Sequence, residues 1–441
     1  MRKRVALALT LSLVLVFTAV PVLAEEAFDY TSGVQKVVLK NGMTVLLKEN
    51  PAFDIIAVVI MSNVGSVQDP EGLEGLTYLT QRNFLSGTKN RTALELVTEL
   101  ESLGTHLQSV SWLDYCAVLM ETLPDTLQES MDIVLDILGN STFPEAEFER
   151  ERALSMALVQ SLTDDPMNAL FMAYGEVFYG DHPYRYTTYG TWEGLAAVQR
   201  EQVSAWQQYM YRPENLTVAV VGNFELTELL PYIEESLGGW ETDASLSLTP
   251  RPEVPFDYPA EDRQLVINLP TEAAFLMLGY PAPNTYNPDS AAMQVIDTVL
   301  GGGLSSRLFV EIRDKQGLAY SAASQYDERL GPSNLLTFVA THPANVDLVR
   351  EQVLYQMQRF AEEGLTEEEI AAVTTRLRGI YLLNNETNIS QAILLATAEM
   401  IGLGYGWVDE YMSFFDNVTP EDIKRVASEY FQNYTEVLIT P

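Results

Sequence analysis

Two segments of the chain, about 220 residues apart, show the same succession of polar, apolar and aromatic residues. The first, VQREQVSAWQQYMYRPENLTVAVVG, begins at Val198, and the second, VTPEDIKRVASEYFQNYTEVLIT, begins at Val418. Each predicts a helix entry, an amphipathic helix that ends in aromatic residues, a short loop and a buried strand. Tyr211 in the first copy corresponds to Phe431 in the second. A repeat of this length indicates that one structural unit has been duplicated, so we expect two related cores.

The length of 441 residues agrees with this expectation, because it suits two domains of roughly 200 residues each. Between the copies, the segment LGGWETDASLSLTPRPEVPFDYPAED is rich in Pro, Ser and acidic residues and has no periodicity. Such a composition is typical of a linker. We therefore expect an N-terminal domain at residues 27–240, a linker at 241–260 and a C-terminal domain at 261–441.

Local patterns in the first half indicate the fold class. VVLKNGMTVLLKEN predicts a hairpin with an Asn-Gly turn, and IIAVVIMSNVGSV predicts a buried strand. Residues 92–103 predict a helix that Gly104 ends, followed by two strands and a further helix. Helices that alternate with antiparallel strands predict an α+β protein. The apolar residues at helical spacing in 92–103 are Leu94, Leu96, Val97, Leu100 and Leu103.

The N-terminal stretch MRKRVALALTLSLVLVFTAVPVLAEE has a basic start, an apolar run, Pro21 and a small residue at Ala24. This order is typical of an export signal, which we expect to occupy residues 1–24 and to be cut after Ala24. The alternative is an uncleaved membrane anchor, because the apolar run is almost long enough to span a bilayer. We expect an exported protein, periplasmic or extracellular, whose mature form is soluble.

The chain is strongly acidic, with a formal net charge of −35. Nucleic acids and anionic membrane surfaces would be repelled by this charge, so neither is an expected partner. The acidity serves either solubility or a cavity that attracts basic peptides. Cys116 is the single cysteine and lies in a strand pattern, WLDYCAVLM, so we expect a buried, inert thiol and no intrachain disulfide.

Several motifs in order along the chain resemble one family. GSVQDPEGLEGLTYLTQRNFLSGT, at residues 65–88, and the following TALELVTELESLGTHL are similar to the N-terminal domain of the pitrilysin/insulinase metallopeptidases, which include the mitochondrial processing peptidase. The resemblance continues through FPEAEFERERALSMAL, DDPMNAL, DHPYRYTTYGT and, in the second half, GGGLSSRLFVEIRDKQGLAYS. It implies two homologous α/β-sandwich domains that form half of a clamshell.

Active members of this family carry an inverted zinc motif, H-x-x-E-H, on the helix within residues 75–88, and a glutamate ligand roughly 75 residues downstream. Aligned without a gap, the first histidine falls on Tyr78, the glutamate on Gln81 and the second histidine on Arg82. The downstream glutamate falls on Leu158, within about one residue. None of these side chains is a normal zinc ligand or general base. We therefore expect no metal and no catalytic residue in this chain.

No other group of residues in the sequence indicates a catalytic site. The three histidines, His106, His182 and His342, are far apart, and no Ser-His-Asp or Cys-His arrangement is evident. The DHPY segment around His182 matches a structural turn of the family. Tyr78 and Arg82, at positions i and i+4, are expected to pack and hydrogen bond where a metal would lie.

The second half keeps two residues that bind substrate backbone in the family, and they correspond to Arg313 and Tyr320. SSRLFVEIRDK predicts an amphipathic helix that Gly317 ends, and LAYSAASQY predicts a strand. Without the resemblance, Arg313 could simply complement a helix dipole and Tyr320 could be half-buried filler. GGGLSS, at 301–306, is interpreted as a turn that opens the helix, because no lysine follows to make a phosphate loop. The inward residues of the helix are Leu308, Phe309 and Ile312.

Two-domain members of the family need a second half-clamshell, and in some of them one subunit holds the zinc while the other supplies the arginine and tyrosine. The resemblance thus implies a non-catalytic subunit of an exported heterodimeric zinc endopeptidase, with zinc in the partner and an extended peptide as substrate. One alternative is a non-enzymatic scaffold or polypeptide-binding homodimer of the same fold. Another is an active metalloendopeptidase with unusual ligands.

Overall fold

The computed structural model describes residues 29–240 and 249–441. The expected export signal at 1–24 and the part of the expected linker at 241–248 lie outside these described residues. The chain forms two β-sheets, one from residues 35–222 and one from 263–440, each packed with helices. This confirms the α+β class.

The first sheet has the strand order β1-β2-β6-β3-β5-β4. Strands β2 and β6 are parallel, and the other neighbours are antiparallel. The predicted hairpin is confirmed, because β1 and β2 pair across a turn in which Gly42 has a φ of 88°. The strands are β1 (Gln35–Val38), β2 (Thr44–Glu49), β3 (Ile56–Ser62), β4 (His106–Ser111), β5 (Cys116–Thr122) and β6 (Leu216–Gly222).

The second sheet has the order β7-β11-β8-β10-β9. Its strands are β7 (Arg263–Asn268), β8 (Ala274–Ala282), β9 (Ala319–Asp327), β10 (Ser333–Thr341) and β11 (Thr435–Thr440). The last strand, β11, lies parallel to β7 and antiparallel to β8, as β6 lies between β2 and β3. Five strands of one sheet therefore repeat in the other with the same directions, which confirms the duplication, and β1 is an addition to the first copy.

Helices of both halves cover the sheets. None of them, within the part of the chain that the structure describes, combines the length and apolar character needed to cross a bilayer. In the first half they are α1 (Leu76–Arg82), α2 (Ala93–Ser102), α3 (Leu127–Asn140), α4 (Glu145–Asp164), α5 (Pro166–Tyr179), α6 (Trp192–Ala197), α7 (Arg200–Met210) and α8 (Leu226–Ser236). In the second half they are α9 (Ser290–Gly301), α10 (Val346–Glu362), α11 (Glu367–Asn384), α12 (Asn388–Met400), α13 (Trp407–Asp416) and α14 (Pro420–Tyr430).

Helix α2 shows how local signals set an element. Thr92 and Glu95 form a capping box at its start, so the predicted helix is confirmed. Its buried stripe is narrower than the sequence pattern indicated. Leu96 and Leu100 are buried, whereas 76% of Leu94 is exposed. Residues 96 and 100 share one helix face, and residue 94 lies on the opposite side.

The two halves exchange one helix each. Helix α12 of the second half packs on β3 and β6 of the first sheet, and α5 of the first half packs on β8 and β11 of the second. Leu395 accordingly lies in one core with Val59 and Ala219, while Leu170 lies with Met277. Every residue of β3 and β6 is buried as a result, which explains their nearly continuous apolar sequences.

Candidate functional site

Helix α1, where the family's zinc motif would lie, is anchored at its start. Gly75 precedes it with a φ of 105°, a conformation that favours glycine. The Asp69 carboxylate accepts hydrogen bonds from the backbone N–H groups of Gly75 (2.7 Å) and Thr77 (2.9 Å) and from the Thr77 hydroxyl (2.6 Å). Burial raises the pKa of Asp69 to about 7. The Trp206 indole N–H also donates to the Thr77 hydroxyl, at 2.9 Å, so α7 holds α1 in place.

Gln81, at the position of the family's general base, is used structurally. Its side chain is buried, and its amide nitrogen donates to the carbonyl oxygen of Val110 on the outer strand β4, at 2.9 Å. Its amide oxygen accepts from the Tyr211 hydroxyl at 2.8 Å. A glutamate here would place a carboxylate against the Val110 carbonyl. The neutral amide therefore donates to one neighbour and accepts from the other, whereas a carboxylate could only accept.

Arg82, at the position of the second histidine, forms an ion pair with Glu151 on α4. Its Nε and Nη2 lie 2.9 Å and 2.7 Å from Oε2 of Glu151. Arg150 approaches the other oxygen, with Nη2 2.9 Å from Oε1. The Glu151 side chain is only 6% exposed, so two guanidinium groups neutralise a buried carboxylate. Leu158 is half-buried two helical turns further along α4.

Tyr78, at the position of the first histidine, packs edge-to-face on Tyr189. The ring centroids are 5.0 Å apart, with an interplanar angle of 88°. Burial raises the pKa of Tyr78, so its phenol is neutral over the physiological range. An aromatic contact thus fills the place of one zinc ligand, next to the ion pair of Arg82.

The side chains at the four aligned positions do not fit zinc. They present a neutral phenol, an amide, a guanidinium and an alkyl group, whereas zinc is bound by imidazole, thiolate and carboxylate. Glu151, the carboxylate that pairs with Arg82, already carries two ion pairs. Within residues 29–240 and 249–441, no group of three or more His, Cys, Asp or Glu side chains could hold a metal ion. That this chain binds no zinc by itself stays a prediction, which metal analysis can test.

Replacing Gln81 by leucine is expected to lower the free energy of unfolding by about 1–3 kcal/mol, because the buried Tyr211 hydroxyl loses the amide oxygen that accepts its hydrogen bond. Tyr211→Phe should cost about 1 kcal/mol. In the double variant the loss should be smaller than the sum, since no hydroxyl is left unpaired. Urea unfolding of the four proteins measures this coupling. Strictly additive losses would show that the two side chains do not support each other.

The histidines occupy structural or exposed positions. His182 is buried and caps a turn, with Nδ1 accepting the backbone N–H of Tyr184 at 3.2 Å, which confirms the predicted structural turn. His342 caps a similar turn through the N–H of Ala344. His106 is exposed on β4. Burial, assisted by nearby arginines, lowers the pKa of His182 to about 4.

The pKa of His182 predicts loss of stability in acid. The unfolded chain would protonate this histidine near pH 6.5, but the folded protein resists protonation down to about pH 4. Its contribution is therefore complete above pH 6.5 and is lost as the pH falls towards 4. His182→Asn keeps a capping acceptor and should reduce the fall in unfolding free energy between pH 7.5 and 4.5 by roughly 2 kcal/mol. His106→Asn is the exposed control. Identical pH profiles for both variants would contradict the assignment.

Arg313 lies in a helical segment whose turns are wider than those of an α-helix. The predicted helix is confirmed, but over Phe309–Asp314 it is a π-helix. Ile312 is fully buried as predicted, but Phe309 is only half-buried. Gly317, with a φ of 64°, ends the segment and donates its N–H to the carbonyl of Arg313 at 3.1 Å. The glycine-rich stretch at 301–306 precedes the segment, and Gly301 packs tightly against Ser324 of β9.

Arg313 and Tyr320 are both exposed. The Arg313 guanidinium lies 4.8 Å from the centre of the Phe309 ring. Tyr320 is the second residue of the outer strand β9, and 59% of it is exposed, which is more than a half-buried filler would show. Neither side chain forms a hydrogen bond or ion pair with the rest of the described chain. Both are therefore free to bind another molecule.

Two residues of the site were not singled out from the sequence. Glu151 lies seven residues before Leu158, on the same face of α4, and a charged residue at that spacing was the available signal. Tyr189 lies in a loop more than 100 residues from Tyr78, so its contact with Tyr78 left no local pattern. The structure brings Tyr78, Gln81 and Arg82 together on α1.

Comparison with known proteins gives consistent matches. A sequence model described as insulinase (peptidase family M16) matches residues 44–192, and one described as peptidase M16 inactive domain matches 197–377. A relative described as an uncharacterized zinc protease from Mycobacterium leprae is 27% identical over 406 residues, covering 92% of this chain and 91% of the relative. A second, from Bacillus subtilis, is 23% identical over 410 residues, with coverages of 92% and 98%.

Solved structures show the same fold. A structure described as a protease from Helicobacter pylori matches with a TM-score of 0.83 and 22% identity. The match covers 92% of this chain and 99% of the Helicobacter chain. One described as a peptidase M16 inactive domain from Pseudomonas fluorescens has a TM-score of 0.82 and 19% identity, with coverages of 92% and 98%. With the two family matches and the duplicated α+β halves, these findings show that the chain belongs to the M16 peptidase family, the pitrilysin/insulinase group.

Proposed function

We propose that this protein is the non-catalytic subunit of an exported heterodimeric zinc endopeptidase and that it grips an extended peptide through Arg313 and Tyr320. One observation carries the proposal. The side chains at the aligned zinc positions Gln81 and Arg82 are engaged within the fold, whereas Arg313 and Tyr320 are exposed and have no hydrogen bond or ion pair in the described chain. The fold is thus intact where it would hold a peptide and altered where it would cut one.

Arg313 and Tyr320 suit the backbone of a peptide. A guanidinium group offers several N–H donors in a rigid plane, and a phenol offers one more, so both can bind peptide carbonyl oxygens. Because neither side chain has a polar partner in the described chain, binding breaks no existing ion pair. Tyr320 also lies on β9, the outer strand of its sheet, beside which an extended chain can approach.

The zinc must then come from a partner of the same family. Relatives from M. leprae and B. subtilis are described as uncharacterized zinc proteases, and the Pseudomonas structure is described as a peptidase M16 inactive domain, so this chain is similar to proteins of both descriptions. A second half-clamshell with an intact H-x-x-E-H motif would complete the chamber. The basic and apolar N-terminal stretch supports export of this subunit.

The test is reconstitution with a zinc-bearing family member from the same source. This chain and that sister are purified separately and mixed, and molar mass, zinc content and peptide cleavage are measured for each protein and for the mixture. We expect a one-to-one complex that holds one zinc and cleaves a peptide library at least tenfold faster than the sister alone. A stable homodimer of this chain that does not bind the sister would instead support the scaffold alternative. Chelator-sensitive cleavage by this chain alone would overturn both.

A further inference from the structure

A cavity of about 310 Å³ lies in the second half of the chain, between helices α9 and α13. The loop between β8 and α9 and Glu328, which follows strand β9, complete its lining. Two hydrogen bonds hold this loop in place. The Thr285 N–H donates to the carbonyl of Arg329, and the Tyr286 hydroxyl donates to the carbonyl of Ile401, each at 3.0 Å. Ligand cavities usually measure about 300–1,000 Å³, so this one suits a single small group.

Aromatic rings form one wall of this cavity. Trp407, Tyr411 and Phe414 lie on one face of α13, because residues four and seven positions apart share a helix face. The centre of the Trp407 ring lies 4.8 Å from that of Tyr411 and 6.2 Å from that of Phe414. Phe414 is 42% exposed, and Tyr286, on the loop between β8 and α9, is 51% exposed. Ring surface is therefore left uncovered, and such surface attracts organic cations.

Glu328 is the only charged residue of the lining, and it has no hydrogen bond or ion pair with the residues that the structure describes. It is exposed, so a ligand can reach its carboxylate. The next residue, Arg329, does not neutralise it, because its guanidinium pairs with Asp327 at 3.0 Å and lies over the Tyr184 ring. The surrounding protein atoms raise the pKa of Glu328 to about 7. A cation in the cavity would favour the charged carboxylate.

We propose that this cavity binds an organic cation, an alkyl ammonium or guanidinium group, between Glu328 and the rings of α13. The cation would donate hydrogen bonds to the Glu328 carboxylate, while Trp407 and Phe414 would contact its charge and the methylene groups next to it. The cation belongs either to a free amine or guanidine or to a lysine or arginine side chain of another polypeptide. The site is separate from Tyr320, which lies at the other end of β9.

Calorimetry with matched charged and neutral probes tests the proposal. Butylguanidinium is compared with butylurea and butylammonium with butanol, since each pair has a similar size and shape. We expect the charged member to bind at least tenfold more tightly. Octapeptides with one internal arginine or citrulline then separate the sources, because a preference for arginine shows that a side chain reaches the cavity, whereas a preference in the butyl probes alone indicates a free cation. Equal affinities within both butyl pairs would overturn the proposal.

Glu328→Gln should remove most of the preference for butylguanidinium over butylurea. Because Glu328 has no partner in the described chain, the melting temperature without ligand should stay the same or rise. The matched control is Glu410→Gln, which removes an exposed carboxylate of α13 outside the cavity lining and should leave the preference intact. Equal losses in the two variants would show that the general acidity of the chain attracts the probe, which contradicts a site at Glu328.

Phe414→Leu tests the contribution of the aromatic wall. Since Phe414 is partly exposed, leucine should be tolerated by the fold. The affinity for butylguanidinium should fall about two- to fivefold, while that for butylurea stays unchanged, because only the cation is attracted by the charge distribution of the ring. Equal losses for both probes would show an ordinary apolar contact and contradict the proposed role of the rings. These measurements need only this chain, so their outcome does not depend on the proposed function.

Discussion

Arg313→Ala is expected to lower kcat/KM of the reconstituted pair by about a hundredfold, although this residue lies in the subunit without zinc. A charge-assisted hydrogen bond contributes roughly 1.5–3 kcal/mol, which corresponds to about 10- to 150-fold in rate. Tyr320→Phe, which removes one neutral donor, should cost about tenfold. If both side chains hold the peptide before and during cleavage alike, the loss will appear mainly in KM. Initial rates over a range of peptide concentrations measure both constants.

Matched controls are available among other exposed residues of the same half. Lys315 is an exposed cation two residues from Arg313, and Tyr355 is an exposed tyrosine on α10. Lys315→Ala and Tyr355→Phe should leave kcat/KM within a factor of two. The molar mass of each variant pair confirms that the complex still forms. Unchanged cleavage by the Arg313→Ala/Tyr320→Phe double variant would remove the proposed role of these residues in gripping substrate.

Restoring the missing ligands should create a zinc site in this chain. The quadruple variant Tyr78→His, Gln81→Glu, Arg82→His and Leu158→Glu supplies two imidazoles on one face of α1 and a carboxylate on α4. It also removes the Arg82 guanidinium, whose charge opposes a cation. We expect one zinc per chain and an affinity at least a thousandfold above that of the unmodified protein, measured by metal analysis and chelator competition.

A register control sharpens this experiment. Val159 is buried in the core and lies about 100° around α4 from Leu158. A variant that carries Val159→Glu in place of Leu158→Glu should bind zinc much more weakly, because its carboxylate points elsewhere. Tighter binding by the Val159 version would show that the alignment is off by one residue. Stoichiometric zinc in the unmodified protein would contradict the whole interpretation of α1.

Local elements were predictable because their signals are local. The Asn-Gly turn of β1 and β2, the capping box of α2 and the glycine after the Arg313 segment each depend on residues within a few positions of one another. The duplication was also visible, since both copies bury the same pattern of helix and strand. Contacts between residues far apart in the sequence could not be predicted. Leu94 looked like part of an apolar stripe, but which helix face meets the core depends on distant elements.

In the candidate site, too, the chemistry of each side chain was predictable and its partners were not. The identity of Tyr78, Gln81, Arg82 and Leu158 is enough to argue against a zinc site, because ligand chemistry belongs to the side chain itself. What these residues do instead could not be read from the chain. The ion pair of Arg82 joins residues 69 positions apart, and the bond of Gln81 to Tyr211 spans 130. Such partners are chosen by packing, which no local pattern records.

By itself the sequence determined a duplicated α+β chain, a zinc helix without zinc ligands, and an arginine and a tyrosine suited to peptide backbone. Only the tertiary structure decided that α5 and α12 pack on the opposite sheets and that the Arg313 segment is a π-helix. The physical reason is that periodicity and ligand chemistry are properties of neighbouring residues. Burial and pairing across hundreds of positions exist only once the two halves have packed together.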